Sequence, residues 1–272
     1  MYSKSFNFVE RIMHIQFYKF QGTGNDFVML DNRKGIYDGL SIGVIQQLCD
    51  RRFGIGADGL IKLNAHAEFD FEMDYYNSDG SKSFCGNGAR CAVAFADLLG
   101  MNVSNTTFLA IDGVHNARFI DEFIYLEMKD VDDVIESEDS YIADTGSPHY
   151  MIFVDRLLVR VVLAIGRQIR YNEQYKKDGI NVNLIEQKSD LSIGIRTYER
   201  GVENETLSCG TGATACALAL AEKNNLFGKI VIDVDVQGGA LKVAFERSAS
   251  GNYKAIELIG PAVFVFKGEI DV

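Results

Sequence analysis

Short runs of alternating apolar and polar residues dominate the chain. Residues 69–76 set apolar side chains against acidic ones with a period of two, the mark of a strand with one face in a core. Other strand-length apolar runs occupy 14–19, 27–30, 59–63, 107–111, 123–128, 150–154, 193–198, 230–236, 241–245, 253–258 and 263–266, broken by turns rich in Gly, Asn and Asp. Four segments carry helical spacing instead: 41–51 behind a Ser cap, 85–99 running up to Gly100, 156–170, and the Ala- and Leu-rich 209–223. This order predicts an α+β fold with much antiparallel sheet rather than a βαβ alternation. Residues 1–12 show no partner pattern and read as an extension, or as the product of an upstream start codon, before Met13.

The chain has 272 residues, enough for one large domain or two moderate ones with a sizeable core. No apolar run reaches the ~18–20 residues of a membrane span, and residues 1–11 include Lys4, Glu10 and Arg11 where a signal peptide would have an apolar centre. A net charge of −11 without any Lys/Arg block argues against nucleic acid as a partner, and nothing marks a membrane partner. Glycines number 26 and prolines 2, which favours tight β connections. The five cysteines are an odd set without a C-x-x-C pair, which fits a reducing cytoplasm and gives no zinc or other metal site.

One internal similarity changes the picture. Cys85-Gly86-Asn87-Gly88-Ala89 is matched by Cys209-Gly210-Thr211-Gly212-Ala213, and each follows a strand and a polar loop and enters an Ala-rich apolar helix. Two halves built alike are the economical reading: 1–130 carrying Cys85 and 131–260 carrying Cys209. A cysteine at a helix N-terminus is expected to have a lowered pKa. The glycines beside it leave backbone N–H groups free to hold a carboxylate. If the halves face each other, one thiolate can remove a proton from a carbon and the opposite thiol can return one to its other face. That chemistry needs no metal and no organic cofactor. Cys91 and Cys216, further inside the same helices, read as buried structural residues.

These residues carry a family resemblance. The two cysteine motifs, with Phe20-Gln21-Gly22-Thr23-Gly24-Asn25-Asp26-Phe27, Tyr76-Asn77-Ser78-Asp79-Gly80, Gly146-Ser147-Pro148-His149, Tyr198-Glu199-Arg200-Gly201 and Gly260-Pro261-Ala262-Val263, make the chain similar to the diaminopimelate epimerase family over about residues 14–272. The resemblance implies two pseudo-symmetric halves, each a mostly antiparallel, β-barrel-like sheet wrapped around a central helix, with residues 261–272 returning to the first half. It implies a cofactor-independent epimerisation of LL-2,6-diaminopimelate in lysine and peptidoglycan-precursor synthesis, with Cys85 and Cys209 as the acid–base pair. By the same resemblance His149 and Glu199 are polar auxiliaries beside the thiols. Substrate contacts fall on Asn25, Asn77, Gly86, Asn87, Asn181, Glu199, Arg200, Gly210 and Thr211, with Arg200 holding the distal carboxylate.

Two positions depart from the family pattern: Ser147, often an asparagine there, and Gly59, a glutamine in some members. Both bear on substrate geometry and neither on the thiols. The expected partners are the small-molecule substrate and a second copy of the chain in a homodimer. A proline- or hydroxyproline-type racemase, a thiol redox protein and a binding module stay open as alternatives at this point. A polar far end of the substrate, needing Arg200, Glu199 and Asn77, separates the first from diaminopimelate.

Overall fold

A computed structural model describes residues 13–272, so the reading of 1–12 falls outside the described residues. The first half runs β1 (His14–Gly22), β2 (Asn25–Asp31), α1 (Ile42–Cys49), β3 (Gly59–Asn64), β4 (Phe71–Asn77), α2 (Gly86–Leu98), β5 (Thr106–Ala110), β6 (Gly113–Ile120) and β7 (Phe123–Glu127). The second half begins with β8 (Ile135–Ser137), β9 (Ser140–Asp144), β10 (Pro148–Phe153), α3 (Val159–Arg170), β11 (Asn181–Ser189) and β12 (Ser192–Glu199). It continues through β13 (Asn204–Thr206), α4 (Gly210–Lys223), β14 (Gly228–Val236), β15 (Gly239–Arg247) and β16 (Tyr253–Pro261) to β17 (Val263–Asp271).

The strand pairings repeat. In the first half β1 and β2 are antiparallel, β2 and β3 parallel, β3 and β4 antiparallel, β4 and β5 parallel, and β5, β6 and β7 an antiparallel meander. The second half has the same sequence of pairings through β9, β10, β11, β12, β14, β15 and β16. The last strands of the two meanders, β7 and β16, join the halves antiparallel. The strand that follows each half caps the first strand of the other: β17 lies antiparallel on β1, with His14 opposite Asp271, and β8 lies on β9. Each of the four helices is the crossover between two parallel strands, since parallel neighbours cannot be joined by a tight turn. Mostly antiparallel sheet therefore coexists with four βαβ units that the α+β reading did not single out.

The helices serve two different purposes. Every residue from Gly86 to Ala96 of α2 is buried, as are nearly all of those from Gly210 to Ala221 of α4. A helix that is apolar all round belongs inside, and its alanines let the strands approach it closely. These two helices occupy the main core. By contrast α1 and α3 each cover a smaller apolar cluster on the outside of the sheet. Ser41 caps α1, its hydroxyl accepting from Val44 N–H. Among the described residues no helix is long and apolar enough to cross a membrane.

Five strands were not marked by the sequence pattern: β6, β8, β9, β11 and β13. β11 lacks the apolar run that marks the other strands, because Asn181 and Asn183 stand side by side on one of its faces and are buried although polar.

The halves meet tightly at the β1–β2 turn. Thr23 Oγ1 donates to Ser208 Oγ at 2.8 Å, and a Cβ on Gly238 would stand 1.7 Å from the Thr23 carbonyl oxygen. Backbone cannot yield there as a flexible side chain can. Gly238→Ala is expected to destabilise the fold by about 1–3 kcal/mol, seen as a lower melting temperature at neutral pH; an unchanged melting temperature would mean that this junction is not rigid.

Candidate active site

The duplicated motifs lie where the chain leaves a sheet and enters an inner helix. Asn77 closes β4 and Glu199 closes β12, and the loop after each leads to the cysteine that caps the next helix. Cys85 and Cys209 are the N-cap residues of α2 and α4, both with extended backbone. The two helix starts adjoin: a Cβ built on Gly210 would lie 3.9 Å from Gly86 Cα and 3.7 Å from Asn87 Oδ1. That Cβ would also press on Leu258 Cδ2 at 2.8 Å, so the leucine side chain would have to shift. Asn87 spans the junction, its Nδ2 donating to Ser208 O at 3.1 Å and to Asn25 Oδ1 at 3.3 Å.

Around Cys85, the Gly88 N–H donates to the sulfur at 3.4 Å, and the thiol donates to Asn25 Oδ1 at 3.5 Å. Asn25 is held in turn by Asp58, whose Oδ2 accepts from Asn25 Nδ2 at 2.6 Å. Arg51 ties Asp58 to Asp26, which Lys19 also pairs at 2.7 Å. Around Cys209, Thr211 Oγ1 lies 3.5 Å from the sulfur and 2.9 Å from His149 Nε2. Both thiols are free.

Burial pushes the Cys85 thiol up to about 11, against the Gly88 N–H that pulls it down. Cys209 is pushed up to about 12 by burial and then by the charge of Glu199, against the Thr211 hydroxyl and Gly212 N–H. The expectation that the helix N-termini leave the thiols below the ordinary cysteine range is corrected accordingly. Desolvation of a thiolate outweighs a few N–H dipoles when the sulfur is screened from water. Glu199 is itself pushed up by burial, against the hydrogen bond it accepts from Thr206 at 2.8 Å. His149 is pulled down to about 3 by burial and then by the charge of Arg200, so its imidazole is neutral around pH 7.

A third group sits at the far side. Ser147 Oγ accepts from Asn181 Nδ2 at 2.8 Å and from Arg200 Nη2 at 3.3 Å, while Asn181 Oδ1 accepts from the Arg200 backbone N–H at 2.9 Å. Arg200 Nη1 donates to the Asp178 carbonyl at 3.0 Å. Neutral oxygens thus orient the guanidinium without consuming its charge. The short Ser147 side chain reaches both partners. At Gly59 there is no room for a side chain: a Cβ would meet Tyr75 Cε2 at 2.4 Å. Tyr75 fills that space, and its hydroxyl donates to Asn77 Oδ1 at 2.9 Å.

The structure thus gathers Asn25, Gly86, Asn87, Gly210, Thr211 and His149 around the two thiols, and Asn181, Ser147 and Arg200 into a second cluster. Asn77 is linked to Tyr75 and, through its Nδ2, to Ser81 and Ser83. Sequence reasoning missed Tyr75, Asn183, Thr197 and Ser208. Only Asn183 left a signal: it lies two residues from Asn181, on the same face of β11.

The family model described as diaminopimelate epimerase matches residues 17–113 and 141–265. This chain belongs to the diaminopimelate epimerase family. It is 49% identical over 263 residues to a diaminopimelate epimerase of Flavobacterium psychrophilum, covering 94% of this chain and 100% of that one. Solved structures with the same fold include a phenazine biosynthesis protein of the PhzF family from Bacillus anthracis, at TM-score 0.70 and 14% identity over 96% of this chain and 99% of that one. A hydroxyproline epimerase from Agrobacterium vitis, with bound trans-4-hydroxy-L-proline, aligns at TM-score 0.66 and 13% identity over 95% and 91%. At such identities these two speak for the fold alone. Membership of the diaminopimelate epimerase family makes the chain an isomerase.

Proposed function

We propose that this chain converts LL-2,6-diaminopimelate to the meso isomer with two thiols and no cofactor, as a step in lysine and peptidoglycan-precursor synthesis in the cytoplasm. The observation that carries the reading is the pair of adjoining helix N-termini, each capped by a cysteine. The substrate's α-carboxylate lies against the N–H groups of Gly86, Asn87, Gly210 and Thr211, at the first positions of α2 and α4, where helix geometry leaves them without an intrahelical partner. One cysteine, as thiolate, takes the α-hydrogen as a proton; the bonding pair stays on the carbon and is drawn toward the carboxylate. The opposite thiol then gives its proton to the other face. Configuration is inverted, and the two sulfurs have exchanged protonation states. The same N–H groups stabilise the negative charge as it builds up. His149 and Glu199 set the polarity beside the thiols, and Arg200, steadied by Ser147 and Asn181, takes the distal carboxylate while Asn25 and Asn77 complete the contacts.

The deciding experiment is incubation with LL-diaminopimelate in deuterium oxide, followed by NMR. Meso product with deuterium at one α-carbon is expected; absence of α-exchange, or exchange with proline in place of diaminopimelate, overturns the reading. Supporting the division at about residue 130, with 261–272 returning to the first half, is the repeat of strand pairings. Assembly as a homodimer belongs to the same proposal. It is supported by β17, which among the described residues pairs with β1 alone and carries Val263, Phe264, Val265 and Phe266 exposed on its edge. Such an edge can pair with its own copy across a two-fold axis. Sedimentation at working concentration should give the mass of two chains, and a single-chain mass overturns that part.

A further inference from the structure

Asn183 touches neither thiol, yet its place in the hydrogen-bond pattern around Cys209 is unusual. It lies in β11, fully buried, as is His149 in β10. Its amide is oriented from two sides. Nδ2 donates to the Tyr150 carbonyl at 3.4 Å, and a carbonyl can only accept; on the other side Thr197 Oγ1 donates to Oδ1 at 2.8 Å. The contact of Asn183 Nδ2 with His149 Nδ1, at 3.0 Å, therefore has the amide as donor, so Nδ1 carries no hydrogen. The ring proton stands on Nε2, which donates to Thr211 Oγ1 at 2.9 Å. With one lone pair so engaged, the Thr211 hydroxyl is free to donate to Cys209 Sγ at 3.5 Å.

We propose that Thr197, Asn183 and His149 form a one-way hydrogen-bond chain that turns the Thr211 hydroxyl toward Cys209, with Asn183 the positioning residue that sets its direction. This rests on the two-thiol reading above. No proton travels along the chain. Each member donates forward, so that a Cys209 thiolate, whether formed before it takes the α-proton or left after the thiol has given its proton to the carbon, meets a hydroxyl hydrogen already aimed at it, with no reorientation. The buried His149 ring is neutral, and the Asn183 donor at Nδ1 fixes which of its two tautomers it holds.

Burial and the charge of Glu199 push both thiols up, Cys209 the further of the two. Cys209 is only 8% exposed, whereas Cys85 is partly open to solvent. The ionisable groups facing Cys209 from the packed elements are Glu199 on β12, Cys85 at the start of α2, Cys216 within α4 and His149 on β10, with Arg200 acting on His149. Negative charge on Glu199 or Cys85 opposes a Cys209 thiolate. An epimerase that works in both directions needs either sulfur to serve as base, so the more hindered one requires the additional donor. At Cys85 the arrangement is reversed, with the thiol giving its hydrogen to Asn25.

The test is the pH dependence of iodoacetamide alkylation in the ligand-free full-length protein, read at each cysteine by peptide mass spectrometry. In Asn183→Leu, alkylation of Cys209 at a fixed pH is expected to fall about tenfold, equivalent to an upward shift of one pH unit, with Cys85 unchanged within about twofold. Turnover at that pH should fall about tenfold in kcat with KM within about twofold, because the thiolate form that takes the proton is scarcer in free and substrate-bound enzyme alike. Thr197→Val, which removes the anchoring hydroxyl and nearly keeps the shape, should act in the same direction, and Thr197→Ser should restore both readouts. If Asn183→Leu does not fold, the Thr197 pair decides alone. Equal changes at Cys85 and Cys209, or a fall in kcat with no change in Cys209 alkylation, overturn the proposal. A wild-type protein without α-hydrogen exchange overturns the epimerase reading instead, and the alkylation pattern, which needs no turnover, tells the two failures apart.

Discussion

Alanine in place of either Cys85 or Cys209 is expected to lower epimerisation by at least about 10²–10⁴-fold, the usual contribution of a placed acid or base. The two losses should be similar and should not multiply in the double variant, because the sulfurs act on one carbon as a unit. Folding should survive. Cys85 caps α2 through a single 3.4 Å contact from Gly88 N–H, and Cys209 makes no side-chain cap bond at all. Serine is the more informative replacement at Cys85. Its hydroxyl can accept from Gly88 as the sulfur does, while its much higher pKa removes the base. Circular dichroism should therefore show a native fold in Cys85→Ser, and product formation should remain at the level of Cys85→Ala. A Cys85→Ala protein with near wild-type activity would sink the two-base mechanism.

Arg200→Ala is expected to reduce kcat/KM for diaminopimelate by about 30-fold or more, corresponding to about 2 kcal/mol for a carboxylate left without its charged partner. The structure makes this a clean substitution. The link from β12 to Asn181 runs through the Arg200 backbone N–H, and Asn181 keeps its own bonds to Ser147 and Pro148 when the guanidinium is gone. Only Ser147 and the Asp178 carbonyl lose a donor, and both can turn to water. Lysine should rescue only in part, since a point charge cannot reproduce a forked contact with a carboxylate. Steady-state kinetics with Arg200→Ala and Arg200→Lys check this, and unaltered turnover in the alanine variant removes Arg200 from substrate recognition.

What the sequence determined by itself was whatever is local. Twelve strands and four helices were legible because their side chains follow the period of the element or form apolar runs of its length, many of them bounded by Gly, Asn or Asp. The cysteine motifs were legible because a cysteine flanked by glycines and followed by an alanine-rich run favours a sulfur at an uncovered helix start over a buried structural one. Their repetition carried the two halves with it.

The tertiary structure decided what depends on distant partners. No periodicity shows that β17 returns to β1, since register between strands at opposite ends of the chain lies in neither sequence alone. Likewise Asn183 and Thr197 are ordinary strand residues until β10, β11 and β12 lie side by side and bring Thr197 Oγ1, Asn183 and His149 into line. The thiol pKa values reversed direction for the same reason. A helix N-terminus is a local feature and favours thiolate, but burial is collective: the packing of one half against the other removes the water that a thiolate needs, and at this site that loss is the larger effect.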